Sequence, residues 1–119
     1  MSTKNLVHFE LRSSVAVARL LHEKLIHLPL IMDLGNEILT YLDANRPMQL
    51  VVSFDGVNRF GTEAINMLLR IRGAATAYGG TVRLGGMTDG IREAFSILRL
   101  DGTIFDIFST TDDAVASFQ

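Results

Sequence analysis

Three histidines are the side chains in this sequence that could bind a metal ion or transfer protons near neutral pH: His8, His22 and His27. A zinc site on a helix needs two ligands on the same helix face, usually within a pattern that includes an acidic residue. No two of these histidines have that spacing, and no acidic residue completes such a pattern with them. We therefore predict no metal site and interpret the histidines as solvated or half-buried side chains.

Two glycine pairs and several serines are candidates for phosphate binding or nucleophilic catalysis. Neither Gly79-Gly80 nor Gly85-Gly86 belongs to a Gly-x-Gly-x-x-Gly pattern or precedes Lys-Ser/Thr, so we interpret the pairs as the ends of a helix and a strand. The chain has no cysteine, and its serines lack a nucleophile-elbow context and a recognisable base: Ser13, Ser14, Ser53 and Ser96. We predict a protein that is not an enzyme and that binds no cofactor.

The charge balance argues against nucleic acid and anionic lipid as partners. The formal net charge is −2 at pH 7, whereas both of these partners are usually bound by clustered Lys and Arg. Arg70 and Arg72 could suggest an anion-binding patch, but scattered arginines on a helix face are most often simply solvated. We predict no nucleic-acid partner.

The length of the chain and its apolar runs indicate its domain organisation and location. The 119 residues fit one domain, spanning 1–119. The longest apolar candidate, Leu25–Met32, is interrupted by His27 and Pro29 and is far shorter than the roughly 20 residues that span a bilayer. A chain without cysteine also agrees with a reducing compartment. We expect a cytoplasmic protein without direct membrane insertion.

The elements that must position any site begin with two segments that predict strands, the alternating Val7–Leu11 and the more apolar Val15–Leu21, separated by a polar turn. They predict an antiparallel hairpin. The segment Leu21–Met32 has two possible interpretations. It forms either a strand and turn, with a strand over Lys24–Leu28 that Pro29 ends, or an irregular insertion. An amphipathic helix follows up to Asn45, because apolar residues recur at helical spacing: Ile31, Leu34, Ile38 and Leu42.

The second half of the sequence alternates strands with helices. This order predicts right-handed crossovers and a sheet with a parallel part. The fold class is therefore α/β, with a single mixed, partly parallel sheet, an N-terminal antiparallel hairpin and about four helices. The predicted elements are strands at 49–54, 81–84 and 104–108, and helices at 62–78, from the cap Asp89 to Leu98, and at 112–118.

The segment 51–71 resembles the centre of the STAS family, named for sulfate transporters and anti-sigma-factor antagonists. In that family a buried strand ends in Asp/Asn-x-Ser/Gly-x-Val, a short loop carries Asp-Ser-Ser/Thr-Gly, and a helix rich in leucine and arginine follows. The opening hairpin matches less specifically, and 21–32 departs from the usual Gly-x-Leu-Asp pattern. The resemblance continues in order and spacing through 77–84, 91–95, 100–101 and 105–108.

The family's loop motif is altered in this chain, where it reads Gly61-Thr62-Glu63-Ala64. In phosphorylatable members a partner kinase modifies a serine or threonine of this loop. Glu63 stands at the usual phosphoacceptor position, and Thr62 at the first hydroxyl position. A carboxylate cannot accept a phosphoryl group, and it carries one negative charge where phosphoserine carries about −1.5 to −2. The resemblance therefore implies no phosphate at Glu63 and a charge that could mimic the modified state.

Both residues also have plain structural interpretations, which remain open here. Glutamate in the first turn of a helix is stabilising by about 0.3–1 kcal/mol because it complements the helix dipole. Thr62 is predicted as the N-cap of this helix, although it could also be modified.

The resemblance implies that this loop and helix bind a protein partner. Ile65 and Leu69 lie beside the main buried stripe, either at the rim of the core or as an exposed apolar ridge. The implied partner is a histidine-kinase-like anti-sigma factor or another STAS protein, and a homodimer is left open. The alternatives are an adaptor subunit of a membrane lipid-transport or transporter complex and a small-ligand sensor. The predicted partner-binding residues are Phe60, Gly61, Thr62, Glu63, Ile65, Asn66, Leu69 and Arg70.

Overall fold

The computed structural model describes residues 6–119, in which strands and helices alternate after an opening pair of strands. No helix in this part of the chain is long and apolar enough to cross a membrane. The elements in chain order are β1 (Val7–Arg12), β2 (Val15–Leu20), β3 (Lys24–Leu25), α1 (Leu28–Asn45), β4 (Gln49–Ser53), β5 (Arg59–Phe60), α2 (Thr62–Ala77), β6 (Thr81–Gly85), α3 (Asp89–Ile97), β7 (Asp106–Phe108) and α4 (Thr111–Ala116).

Five strands form the main sheet, in the order β1-β2-β4-β6-β7. β1 and β2 pair antiparallel, whereas β2, β4, β6 and β7 pair in parallel. The helices α1, α2 and α3 connect the successive parallel strands. The predicted fold class, a mixed and partly parallel sheet with an antiparallel opening hairpin and four helices, is therefore confirmed. A separate parallel ladder of β3 and β5 was not predicted.

The turn of the opening hairpin consists of two residues, Ser13 and Ser14. Their φ angles are 49° and 74°, so both residues are left-handed, as in a type I′ turn. This turn matches the right-handed twist of the strands that it joins. The pairing of Arg12 with Val15 closes the hairpin.

The segment 21–32, for which the sequence allows a strand and turn or an irregular insertion, contains a short strand followed by the start of a helix. Only Lys24 and Leu25 are in β3, where they pair with Arg59 and Phe60 of β5. The predicted strand over Lys24–Leu28 is therefore wrong beyond Leu25. Helix α1 begins at Leu28 and carries Pro29 in its first turn. Proline is tolerated there because the first N–H groups of a helix have no intrahelical partner.

The core lies on both faces of the main sheet, because successive strand residues point to opposite faces. The larger cluster packs between the sheet and α1, α2 and α3. It includes the predicted stripe of α1, whose four residues are all buried: Ile31, Leu34, Ile38 and Leu42. A smaller cluster lies between the other face and α4: Val15, Val17, Val51, Ala114 and Val115.

Helices α1 and α2 approach closely at a glycine. A Cβ atom added to Gly35 would lie 2.8 Å from the Cγ atom of Met67. Because Gly35 has no side chain, Met67 of α2 can pack against the backbone of α1. This contact sets the distance between the two helices.

The start of α3 differs by one residue from the predicted cap. Thr88, not Asp89, is the N-cap, and its hydroxyl accepts a hydrogen bond of 3.2 Å from the backbone N–H of Ile91. Asp89 is already helical and lies in the first turn, where its charge complements the helix dipole. Helix α4 uses Thr110 in the same way, and its acidic first turn is as expected.

We expect the substitution Gly85→Ala to destabilise the protein by about 1–3 kcal/mol, the usual cost of overpacking. A Cβ atom there would lie 2.7 Å from the carbonyl oxygen of Thr110 and 3.0 Å from the Cα atom of Thr111, so α4 would have to shift. Urea unfolding measures the loss. The control is Gly73→Ala in α2, where no atom lies within 4 Å and we expect a gain of about 0.5–1 kcal/mol. Equal changes in the two variants would contradict the packing of α4 on β6.

Candidate partner-binding site

Helix α2 starts at the end of β5, and hydrogen bonds to β3 hold the loop that precedes the helix. The N–H groups of Asn58 and Gly61 donate to the carbonyl oxygens of Glu23 and Leu25, at 2.7 and 3.0 Å. Gly61 is the N-cap, and its carbonyl oxygen accepts a hydrogen bond from the N–H of Ala64 at 3.0 Å. The two-residue ladder therefore fixes the direction in which α2 leaves the loop.

The prediction that Thr62 is the N-cap of α2 is wrong. Thr62 is the first helical residue, and no side chain caps this N-terminus. The pairing of Gly61 with β3 keeps Gly61 extended, with φ −91° and ψ 174°, so the helix cannot start one residue earlier. The hydroxyl-bearing side chain of Thr62 is exposed. Glu63 is exposed as well and is the acidic residue of the first turn, as predicted.

A groove of about 160 Å³ lies between the N-terminal halves of α1 and α2. We call it the α1–α2 groove. Its floor and walls are mainly apolar, and its polar side chains all come from α2. The lining residues are Leu28, Ile31 and Met32 of α1 and Glu63, Asn66, Met67 and Arg70 of α2.

Two opposite charges flank the α1–α2 groove along α2. Glu63 and Arg70 are seven residues apart, which corresponds to about 10 Å along a helix. Both side chains are exposed. Within residues 6–119, neither takes part in a salt bridge. Both charges are therefore available to a molecule that enters the groove.

The other predicted partner-binding residues range from buried to exposed. Ile65 is 6% exposed and belongs to the larger core cluster, so it lies at the rim of the core and not on an exposed ridge. Leu69 is 37% exposed. Phe60 is half-buried, with its ring centroid 5.0 Å from that of Phe54 and 5.9 Å from that of Phe95. Asn66 is exposed.

Helix α1 contributes apolar residues to this surface that the sequence analysis did not identify. Leu28 and Met32 are 49% and 51% exposed, and Ile26, just before the helix, is 53% exposed. Leu28 and Met32 are four residues apart and so share a helix face, which lies directly beside the buried stripe that includes Ile31. This second apolar pair is visible in the sequence and could have indicated the groove. A helix predicted to begin at Ile31 does not contain Leu28, however, so the two residues were not placed on one helix face.

A polar cluster lies on the opposite face of the sheet, at the start of α4. Ser53 and Thr111 are the buried polar residues of the described chain, and their hydroxyl oxygens are 2.7 Å apart. One hydroxyl donates to the other, and both oxygens lie within hydrogen-bond distance of the Oδ2 atom of Asp55, at 3.2 and 3.1 Å. Because Ser53 ends β4 and Thr111 begins α4, the cluster fastens α4 to β4. Among residues 6–119, no three His, Asp or Glu side chains are grouped as metal ligands.

Most of these elements lie in a segment that matches a known protein family. A family model described as "Mlab, STAS domain" matches residues 26–108, which is more than two thirds of the chain. This chain belongs to the STAS family. The matched residues of this STAS domain include α1, β5 and α2, and so all of the α1–α2 groove.

Solved structures share the fold of this STAS domain at low sequence identity. An anti-sigma-factor antagonist (STAS) domain protein from Planctomyces limnophilus is 16% identical, with a TM-score of 0.83 over 95% of this chain and 97% of that one. The Bacillus cell fate determinant SpoIIAA in its phosphorylated form is also 16% identical, with a TM-score of 0.70 over 95% and 99% of the chains. No curated protein matches the sequence.

Proposed function

We propose that this STAS domain is a non-catalytic regulatory module that binds a kinase-type anti-sigma factor, or another STAS protein, in the cytoplasm. The binding surface is the α1–α2 groove together with the first turn of α2. One observation carries this proposal: an exposed apolar groove lies beside Glu63, the proposed phosphoacceptor-equivalent residue, and within residues 6–119 neither Glu63 nor Arg70 at its edges forms a salt bridge. Apolar anchors with charged rims are typical of protein interfaces.

The proposed occupant is a protein segment with an apolar side chain and an acidic group. Leu28 and Met32 offer apolar surface that water would leave on binding. Arg70 would attract the acidic group of the partner, whereas the negative charge of Glu63 would lower the affinity, as a phosphate at this position would. The fold similarity to SpoIIAA, which has been solved in phosphorylated and unphosphorylated forms, supports a role of this region in switching.

Glu63 makes the proposed switch permanent in this chain. Its carboxylate places a negative charge at the start of α2 without a modification, so no phosphate is expected at this position. Thr62 is the adjacent exposed hydroxyl. We propose that Glu63 holds the domain in a state that resembles the modified form.

Under this proposal, we expect Glu63→Ser to tighten binding to a kinase-type partner about five- to tenfold, which corresponds to about 1–1.4 kcal/mol. The reason is that the substitution removes the charge that mimics phosphorylation. Isothermal titration calorimetry with the purified partner measures this change. Glu63→Gln is the matched control, since it removes the charge but keeps the shape, and it should tighten binding similarly. Unchanged affinity in both variants would leave Glu63 as a plain helix-start residue.

A second candidate function is an adaptor subunit of a membrane lipid-transport or transporter complex, a role in which STAS-like domains also serve. The observation that favours it is the description of the matching family model, which reads Mlab and not anti-sigma-factor antagonist. The same groove would then bind the ATPase of a transporter. The identity of the bound ATPase distinguishes the two candidates.

A further inference from the structure

The outer edge of β1 presents unpaired backbone groups. The hydrogen bond of 3.0 Å from the N–H of Leu21 to the carbonyl oxygen of Leu6 identifies these residues as a hydrogen-bonded pair. Such pairs alternate along an antiparallel ladder. The backbone groups of Val7, Phe9 and Leu11 must therefore point away from β2. In the sheet of the described residues, no strand lies beyond β1.

β1 carries the charged side chains of Glu10 and Arg12 but lacks several other features that protect an edge strand. The strand has six residues, and it contains no proline, glycine or lysine. Leu11 is 71% exposed. The ring of Phe9 stacks on Tyr41, with centroids 4.1 Å apart and planes 1° apart, and so holds the middle of the strand in place.

We propose that a second copy of this chain pairs with β1 edge to edge, antiparallel, with a two-fold axis through Phe9. Two identical edges that meet around a two-fold axis perpendicular to the sheet must run antiparallel. The outward residues must also face one another, because only they have free backbone groups. This leaves a small set of registers, each defined by the residue on the axis.

The register centred on Phe9 is favoured by hydrogen bonds and by charge. It opposes Val7 to Leu11 of the second copy and Phe9 to itself, so that all three outward residues of each strand are paired. It also opposes His8 to Glu10. A centre at Glu10 would instead place two carboxylates directly opposite each other, which is destabilising.

The other registers within β1 are also less favourable, because a centre at Val7 or His8 would oppose Leu11 to residues outside the strand. A centre at Leu11 would oppose Phe9 to Ser13, which is left-handed and belongs to the turn. Glu10 is charged at neutral pH, and its hydrogen bond with Arg12 (2.6 Å) lowers its pKa further.

Pairing of the two β1 strands would join two five-stranded sheets into one. Because the paired segment is short, we expect a weak dimer whose population depends on concentration.

Single cysteines test the register directly, since the chain has no cysteine of its own. In Phe9→Cys the two Cα atoms across the axis would be about 5.5 Å apart, which suits a disulfide. In Glu10→Cys they would be about 8 Å apart, which is too far. Under oxidation we expect cross-linked dimer from Phe9→Cys and at least about tenfold less from Glu10→Cys. Equal cross-linking of both variants, or none, would overturn the proposal.

Sedimentation equilibrium of the unmodified chain gives a second readout that does not depend on Phe9. We expect a monomer–dimer equilibrium. The substitution Leu11→Lys should shift this equilibrium toward the monomer, because the dimer would then bury a charge between the two β1 strands. The control is Ile97→Lys on α3, because Ile97 is 73% exposed and Leu11 is 71% exposed. The β1 pairing would be contradicted if the unmodified chain stayed monomeric at millimolar concentration. It would also be contradicted if both substitutions weakened the dimer equally. Neither result depends on what the α1–α2 groove binds.

Discussion

The substitution Met32→Asp is expected to weaken binding of the protein partner by at least about tenfold, which corresponds to 1.4 kcal/mol. Met32 lines the apolar groove together with Glu63. Burying a methionine side chain contributes about 1.5–3 kcal/mol, and the new carboxylate would lose its hydration when the partner covers it. Isothermal titration calorimetry with the purified partner measures the loss. Circular dichroism checks that the variant is folded, which we expect because the side chain of Met32 is 51% exposed.

The matched control for this prediction is Met48→Asp. Met48 has a similar exposed fraction, 57%, but lies between α1 and β4, at the other end of α1. Its substitution should leave the affinity unchanged. If Met32→Asp bound as tightly as the unmodified protein, or if both variants lost affinity equally, the α1–α2 groove would not be the binding surface.

The substitution Phe95→Ala is expected to destabilise the protein by about 3–5 kcal/mol, the typical cost of removing a buried aromatic ring. Phe95 of α3 is fully buried. Its ring centroid lies 5.9 Å from that of Phe60, 6.1 Å from that of Phe105 and 6.5 Å from that of Phe54. A large cavity would therefore open between the sheet and α3. Urea unfolding measures the change in the free energy of unfolding.

The control for Phe95→Ala is Phe118→Ala near the end of the chain. Phe118 is half-buried and packs on the smaller cluster, with the guanidinium of Arg83 4.1 Å from its ring centroid. We expect a loss of about 1 kcal/mol there, consistent with a partly exposed cation–π contact. Similar losses in both variants would contradict the central position of Phe95. Since Phe60 stacks on Phe95, the first variant should also loosen the loop before α2.

Most of the fold could be predicted from the period of apolar residues. The hairpin followed from the alternation in 7–11 and the apolar run in 15–21, and α2 from the recurrence of Ala64, Met67, Leu68 and Ile71, all of which are buried. The misplaced boundaries have local causes. Pro29 was interpreted as the end of a strand, although proline is equally suited to the first turn of a helix.

The helix caps show a second limit of sequence reasoning. Thr62 and Asp89 were each predicted as an N-cap, but each is the first helical residue. In the first case the reason is long-range, because the backbone of Gly61 pairs with Leu25 of β3. A ladder of two residues leaves no alternating pattern that could have predicted it.

Only the α2 half of the candidate site could be predicted, and this half rests on a resemblance. Residues 60–70 form a continuous segment, whereas Leu28 and Met32 join them only when α1 packs on α2. Helical spacing does not predict whether Ile65 is buried or exposed, because Ile65 lies at the edge of the apolar stripe. Tertiary packing decides such positions.

The most direct test of the proposed function is affinity capture from a lysate of the source cells, with retained proteins identified by mass spectrometry. The baits are the unmodified domain, two groove variants, Met32→Asp and Arg70→Glu, and two controls with the same changes elsewhere, Met48→Asp and Arg99→Glu. We predict that the unmodified domain and both controls retain a histidine-kinase-like regulator or another STAS protein, and that both groove variants lose it. A transporter ATPase retained equally by all five baits would contradict the proposed partner and the proposed site.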